Sequence, residues 1–135
     1  MQGFKVLVVD DFASFRKSVC AMLRGTPFRV VGQAADGLDA VQKARSCQPD
    51  LILLDIGLPK LNGIEAARRI SVVASGSKIV FVSVNDDPDV VQSVFRNGAC
   101  GYILKSAMSG ELLPALAAVL RGEKFLSARL ARVSG

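Results

Sequence analysis

The chain has 135 residues, a formal net charge of +5 and no histidine. This length is enough for one domain with a hydrophobic core and too short for two. The lack of histidine excludes Ser-His-Asp and Cys-His catalysis, histidine-ligated metals and a phosphohistidine carried by this chain. Any chemistry must therefore come from carboxylates, lysine, hydroxyl groups and a hard cation.

Two hydrophobic patterns alternate along the chain and predict strands and helices in turn. Short apolar runs without polar alternation are typical of parallel strands that helices cover on both faces. The predicted strands cover residues 5–9, 28–34, 51–54, 79–82 and 101–104. Apolar residues at intervals of three and four predict the helices, which cover residues 12–23, 38–47, 64–73, 88–95 and 112–120. Right-handed crossovers between these elements give one α/β domain, a doubly wound parallel sheet of five strands with five helices.

Features that would place the chain in or across a membrane are missing from the sequence. No apolar run approaches the length that crosses a bilayer, and residues 1–5 lack the pattern of a secretory signal. The three cysteines are far apart and show no Cys-x-x-Cys spacing. Basic residues are spread along the chain, so we interpret the positive charge as solvated helix faces rather than a nucleic-acid surface. We expect a cytoplasmic protein without membrane contact.

Complementary polar residues follow four of the predicted strands. Asp10 and Asp11 follow the first strand and Asp55 follows the third. Ser83 and Lys105 follow the fourth and fifth. Because ligands of open α/β sheets bind at the carboxyl ends of the strands, we expect these side chains to converge at one edge.

Three converging carboxylates would repel one another unless a cation lies between them. Mg²⁺ favours oxygen ligands and commonly takes a few carboxylates together with phosphate oxygens. Asp55 is ionised at neutral pH and needs no general base to attack phosphorus. Lys105 can neutralise a phosphoryl oxygen, and Ser83 can donate a hydrogen bond to one. The pattern predicts a magnesium-dependent phosphoryl acceptor.

Four motifs in the same order resemble those of response-regulator receiver domains, over about residues 4–121. The motifs are Val-Val-Asp-Asp at 8–11, the segment 55–63, Ser83, and the segment 98–105 that ends in Lys105. The resemblance implies a flavodoxin-like sheet with strand order 2-1-3-4-5.

The same resemblance assigns roles to individual residues. It makes Asp55 the phosphoacceptor, with Mg²⁺ held by Asp10, Asp11, Asp55 and the carbonyl of Gly57. Ser83 and Tyr102 become the switch pair, in which Tyr102 moves inward after phosphorylation. Lys105 becomes the phosphate-sensing lysine, and the phosphoryl donor is a partner histidine kinase.

The end of the chain suggests the branch of the family. Many receivers carry a proline after this lysine, whereas Lys105 is followed by Ser106, and this difference places the chain nearer the LuxR-type branch. We predict a receiver domain over residues 1–122 and the start of a C-terminal linker over 123–135. DNA would be contacted only through a DNA-binding domain that this chain lacks. The wide apolar arc of the fifth helix indicates either a homodimer contact or deep packing, and the sequence does not decide between them.

Alternative interpretations remain open at this point. Asp11 could simply cap the first helix, Lys105 could be a solvated lysine, and Tyr102 could be a packing residue. Val84 is bulkier than the residue usual beside the switch serine, which leaves room for a degenerate receiver that acts as a phosphorylation-independent interaction module. A phosphatase of the haloacid dehalogenase type is disfavoured because Gly57 replaces that family's second aspartate. We therefore expect a signalling switch that controls dimerisation or an attached domain, and not an enzyme acting on external substrates.

Overall fold

A computed structural model describes residues 3–134 of the chain, and the side chains of residues 3–131. Its six strands are β1 Phe4–Val9, β2 Phe28–Ala34, β3 Leu51–Leu54, β4 Lys78–Ser83, β5 Gly101–Leu104 and β6 Phe125–Leu126. All neighbouring strands are parallel, in the order β2-β1-β3-β4-β5-β6. The predicted order of the first five strands is confirmed, and the sixth strand extends it.

Six helices accompany the sheet within residues 3–134. They are α1 Ala13–Leu23, α2 Gly37–Cys47, α3 Gly63–Val73, α4 Pro88–Arg96, α5 Met108–Leu120 and α6 Ala128–Ser134. A 3₁₀ turn, Lys105–Ala107, joins β5 to α5. Within residues 3–134, no helix is long and apolar enough to cross a bilayer.

Two hydrophobic cores lie on opposite faces of the sheet. On one face, Leu7 and Val9 of β1 belong to a cluster with residues of α2, α3 and α4. On the other face, Val6 and Val8 belong to a cluster with residues of α1 and α5. Successive side chains of a strand point to opposite faces, so a strand between two cores must be apolar throughout. Helices therefore cover both faces of the parallel sheet, which is the doubly wound arrangement predicted from the sequence.

Short polar side chains fix where three helices begin. The side chains of Asp36, Asn62 and Asp87 accept hydrogen bonds from the amides of the first turns of α2, α3 and α4. Each bond satisfies an amide that has no partner inside the helix. These caps start the helices directly beyond the carboxyl ends of the strands, beside the edge where the polar residues were expected.

The prediction of five strands and five helices was wrong at the C-terminal end. The amide of Phe125 donates to the Cys100 carbonyl at 3.1 Å, and the amide of Ser127 donates to the Tyr102 carbonyl at 3.0 Å. These bonds make residues 125–126 an edge strand beside β5, and Leu130 of α6 reaches the core that contains α4. A two-residue strand has no periodicity to detect in a sequence. The predicted boundary after residue 122 stays a prediction, although residues 123–134 continue the fold.

Helix α5 also differs from its predicted extent. It begins at Met108 rather than at residue 112, and Pro114 lies inside it. Leu112, Leu116 and Val119 of the apolar arc are buried in the core, whereas Leu113 remains 41% exposed. Deep packing therefore accounts for most of the arc, and a homodimer on this helix remains a prediction.

Ser127 connects the C-terminal segment to the rest of the domain, and its removal is predicted to destabilise the fold. Its fully buried hydroxyl accepts from the Leu104 amide at 2.8 Å and donates to the carboxylate of Glu111. Ser127→Ala leaves that amide without its partner, at an expected cost of about 1–3 kcal/mol in the free energy of unfolding. Chemical denaturation would measure the change. Ser18→Ala, on an exposed face of α1, is the control, and an equal loss in both variants would contradict the prediction.

Candidate functional site

The carboxyl ends of β1 and β3 place two carboxylates side by side. Asp10 follows β1 and Asp55 follows β3, its neighbour in the sheet. The Asp55 amide donates to the Val9 carbonyl at 3.1 Å, and the Asp10 amide donates to the Ala34 carbonyl at 3.0 Å. Backbone hydrogen bonds of the sheet thus continue to the two acidic residues and fix their position where the strand order reverses.

Asp10, Asp11 and Asp55 form one acidic cluster. Each offers a carboxylate oxygen, and these oxygens lie within 4.8 Å of one another. Asp10 and Asp55 are buried, with 1% and 8% of their surfaces exposed, whereas Asp11 is exposed. The predicted convergence of the three acids is therefore found in the structure.

Asp11 does not cap the first helix. Helix α1 starts at Ala13 with Phe12 at the N-cap position, where no side chain accepts a capping bond. Instead, Asp10 Oδ1 accepts a hydrogen bond from the Phe12 amide at 2.9 Å. The capping interpretation of Asp11 was wrong, and its carboxylate belongs to the acidic cluster.

Lys105 extends its ammonium group into this cluster. Its Nζ lies 2.6 Å from Asp10 Oδ2 and 3.5 Å from Asp55 Oδ2. The side chain is only 16% exposed, so the interpretation of Lys105 as a solvated surface lysine was wrong. Lys105 directly follows β5 and begins the 3₁₀ turn, so its side chain starts at the carboxyl end of that strand.

One buried oxygen of the cluster fits a metal ligand. Asp10 Oδ2 makes no hydrogen bond of acceptable geometry with the described residues, although the Lys105 ammonium lies close to it. That ammonium carries one positive charge against three carboxylates, so a further cation would offset the negative charge that Lys105 leaves. Three carboxylates with no histidine or cysteine among them suit a hard divalent cation. The acidic cluster could therefore bind a metal.

Gly57 lies beside the acidic cluster. Its amide donates to Asp55 Oδ1 at 3.3 Å and holds that carboxylate from the loop side. Gly57 is exposed, and a Cβ at this position would meet no heavy atom within 4 Å. The role of its carbonyl as a metal ligand stays a prediction.

The pKa of Asp55 is raised above the ordinary value of an aspartate, chiefly because burial penalises the charged form. The positive charge of Lys105 and the hydrogen bond from Gly57 act in the opposite direction, while the negative charge of Asp10 adds to the increase. In the absence of a metal, ionising Asp55 therefore opposes folding. A raised pKa in the folded state means that stability present at acidic pH is lost as the pH rises through that pKa.

Asp55→Asn is accordingly predicted to stabilise the metal-free protein at neutral pH. The amide cannot ionise, so the variant does not lose stability as the pH rises. The advantage over the wild type should shrink on acidification and vanish below pH 3.8, the unperturbed value for the carboxyl. Urea unfolding in chelator at several pH values measures it. A gain independent of pH would contradict the role of ionisation.

Ser83 and Tyr102 lie close to the same loop. Ser83 Oγ accepts a hydrogen bond from the Asn85 amide at 3.0 Å, and the Tyr102 hydroxyl donates to the Asn85 carbonyl at 2.6 Å. Tyr102 is fully buried, and burial raises the pKa of its hydroxyl. The packing interpretation of Tyr102 is confirmed. Its side chain points inward, and the role of Ser83 and Tyr102 as a switch pair stays a prediction.

Several contacts of the site were not predicted from the sequence. The Lys105 Nζ lies 4.5 Å from the ring centroid of Phe15 and 5.7 Å from that of Phe12. The guanidinium of Arg16 donates to the Asp10 carbonyl at 2.6 Å. Val84, the bulky residue beside Ser83, is 80% exposed. The spacing of Phe12 and Phe15 is that of a helix face that packs on the core. The sequence therefore gave no sign that their rings also contact the Lys105 ammonium.

A comparison with protein families agrees with the fold. The model of the response regulator receiver domain matches residues 6–117. The chain belongs to this family. The receiver is 35% identical over 123 residues to the transcriptional regulatory protein DegU of Brevibacillus brevis, covering 90% of this chain and 52% of the relative. It is also 35% identical over 129 residues to the nitrate/nitrite response regulator NarL of Escherichia coli K12, covering 95% and 60%.

Solved structures similar to the receiver point to the same branch. A LuxR-family response regulator from Aurantimonas sp. SI85-9A1 has a TM-score of 0.91 at 30% identity, covering 97% of this chain and 94% of that one. The receiver domain of NarL from Mycobacterium tuberculosis has a TM-score of 0.84 at 29% identity, covering 91% and 100%. The predicted LuxR-type branch is confirmed. The receiver spans about half to three fifths of the length of these curated relatives.

Proposed function

We propose that this receiver accepts a phosphoryl group on Asp55 from a partner histidine kinase, in a reaction that depends on Mg²⁺. The observation that carries the proposal is the convergence of Lys105, Asp10 and Asp11 on the Asp55 carboxylate. An Asp55 oxygen would form the new bond to phosphorus while the bond from phosphorus to the donor's histidine nitrogen breaks. The product is an acyl phosphate on Asp55.

Several residues of the site would together neutralise the negative charge on the phosphoryl oxygens. Asp10, Asp11, Asp55 and the Gly57 carbonyl would hold Mg²⁺, which when bound supplies positive charge opposite the phosphoryl oxygens. The Lys105 ammonium would neutralise a second oxygen from its position between Asp10 and Asp55. Ser83 would donate its hydroxyl to a third oxygen.

The loop after β4 could transmit a conformational change from the phosphorylation site to the protein surface. The backbone N–H of Asn85 donates a hydrogen bond to the Ser83 hydroxyl, and its backbone carbonyl accepts one from the Tyr102 hydroxyl. If the Ser83 hydroxyl turns toward the acyl phosphate, its hydrogen bond with the Asn85 backbone N–H breaks. The loop after β4 is then free to move. Such a two-state element can control dimerisation or an attached DNA-binding domain, and DNA would be contacted through that domain.

Two other functions compete with this proposal. A degenerate receiver would act as an interaction module without phosphorylation, but its acids and lysine would not need to converge as they do here. An enzyme acting on external phosphate esters would need a general acid, and Gly57 stands where phosphatases of the haloacid dehalogenase type carry an aspartate. We therefore propose a signalling domain rather than a phosphatase.

Intact-mass measurement after incubation with acetyl phosphate and Mg²⁺ tests the proposal. The wild type should gain one phosphoryl group, and Asp55→Asn should gain none. Asp89→Asn, the same change at the exposed start of α4, should behave as the wild type, and chelation of Mg²⁺ should prevent the adduct. No adduct on the wild type, with acetyl phosphate or with histidine kinases as donors, would favour the degenerate module. Steady release of phosphate from unrelated phosphomonoesters would favour the phosphatase.

A further inference from the structure

We propose that Phe15 is a positioning residue for the reaction, and that its ring holds the Lys105 ammonium beside Asp10 and Asp55. This inference rests on the proposed function, because it assigns a role in phosphoryl transfer to a residue outside the acidic cluster. The observation behind it is the distance of 4.5 Å between the Lys105 Nζ and the centroid of the Phe15 ring. A cation within about 6 Å of an aromatic centroid is attracted by the negative face of the ring.

Lysine needs such a support because its side chain is long and flexible. Several rotatable bonds separate the backbone of Lys105 from its ammonium group, and holding them in one geometry costs conformational entropy. The two carboxylates hold the ammonium from one side. The Phe15 ring supplies a second contact, so the ammonium lies between an acidic pair and an aromatic face.

A neutral ring suits this position better than a further acidic residue would. An additional carboxylate would bind the ammonium strongly, add a fourth negative charge to the acidic cluster and compete with phosphoryl oxygens for Lys105. The ring attracts the cation without adding net charge. It therefore leaves Lys105 free to shift toward a phosphoryl oxygen once Asp55 is esterified.

The fold fixes the ring itself. Phe15 lies in α1 and packs, partly buried, against the core that contains Val8 and Ile103. The next residue, Arg16, donates to the Asp10 carbonyl at 2.6 Å and to the Gln33 side chain at 3.1 Å. These bonds tie the first turn of α1 to the ends of β1 and β2, and so set the place of the ring relative to the site.

Phe12 also makes a cation–π contact with the Lys105 ammonium, but a weaker one. Its ring centroid lies 5.7 Å from the Lys105 Nζ, and the residue is 63% exposed. Water screens the attraction at an exposed ring, and the distance is near the limit of the interaction. We therefore assign the main positioning effect to Phe15.

A double-mutant cycle tests the proposal. The rate of Mg²⁺-dependent adduct formation from acetyl phosphate is measured for Phe15→Leu and Phe15→Tyr, in the wild-type background and with Lys105→Met. Phe15→Leu should slow the wild type by about two- to thirtyfold, the range of a single cation–π contact, whereas Phe15→Tyr should stay within about twofold. With Lys105→Met present, Phe15→Leu should cause no further loss. An equal loss in both backgrounds, or no loss in the wild type, would overturn the proposal.

A spectroscopic measurement separates this proposal from the proposed function. The ε-methylene protons of Lys105 near the ring should be shifted by its ring current in an NMR spectrum of the full chain. Phe15→Leu should abolish that shift, and Phe15→Tyr should preserve it. The shift needs no phosphoryl transfer, so a wild type that shows it but forms no adduct would contradict the proposed function and leave the Phe15–Lys105 contact established. A wild type without a shift would overturn the contact itself. Thermal unfolding of both variants checks that α1 remains folded.

Discussion

Lys105→Met is expected to slow the phosphorylation of Asp55 by about a hundredfold, the scale on which one positioned charge-stabilising group acts. The Lys105 ammonium lies 3.5 Å from Asp55 Oδ2, and it is part of the positive charge available to neutralise the transferring group. Methionine keeps much of the apolar stem of lysine and removes the charge. The negative cluster would then face an incoming phosphoryl group with Mg²⁺ as its main counter-charge, so electrostatic repulsion should raise the barrier.

Time-resolved intact mass with acetyl phosphate and saturating Mg²⁺ measures this effect. Lys17→Met, an identical change on an exposed face of α1, is the matched control and should react at the wild-type rate. If Lys105→Met kept that rate too, Lys105 would have no part in charge neutralisation. If both variants slowed equally, the effect would come from the net charge of the domain rather than from the site.

Gly63→Ala is expected to destabilise the domain by about 2–4 kcal/mol, at the upper end of effects from overpacking. A Cβ at Gly63 would lie 2.1 Å from the Asp55 carbonyl oxygen and 2.8 Å from the Ile56 Cα. Backbone atoms cannot rotate aside as a flexible side chain can, so either α3 or the loop after Asp55 must shift. The Gly63 amide also donates to the Ile56 carbonyl at 2.7 Å, and that bond would be strained.

Urea unfolding of Gly63→Ala against Gly110→Ala measures this prediction. A Cβ at Gly110, on an exposed part of α5, would meet no heavy atom within 4 Å. Replacing a glycine inside a helix with alanine should there add about 0.5–1 kcal/mol of stability. Opposite signs for the two variants are expected, and a gain for Gly63→Ala would show that α3 moves away at little cost. If the loop shifts rather than α3, phosphorylation of Gly63→Ala should also slow, because that loop directly follows Asp55.

Most of the sheet could be predicted because buried parallel strands leave a clear pattern. Strand β3, Leu51–Leu54, is fully buried, and a run of four apolar residues is the direct consequence. Strand β6 left no such pattern, since Phe125 and Leu126 are half-buried and only two residues long. The start of α5 was missed for a different reason. Gly110 and Pro114 have low helix propensity, but burial of residues on both sides of them outweighs it.

The central residues of the site could be predicted from one rule of topology. Strands that are neighbours in a parallel sheet end together, and the acids that follow β1 and β3 do lie together with the lysine that follows β5. The remaining contacts depend on features that a sequence does not display. The Asn85 carbonyl is a backbone acceptor, and any residue type at that position could provide one. Phe15 serves the core and Lys105 at the same time, and the apolar spacing of α1 is explained by the first of these alone.

The contact between β6 and β5 affects where this domain can be shortened or joined to another protein. A chain cut after residue 122 would uncover the backbone groups of β5 that now bond to Phe125 and Ser127. It would also remove the hydroxyl that accepts from the Leu104 amide, one residue before Lys105. An uncovered parallel edge is a template for pairing with other chains. If a reporter protein is fused directly after α5, the exposed edge of β5 can pair with other chains, and the reporter signal would include this artificial self-association. A junction beyond α6 keeps the edge of β5 covered.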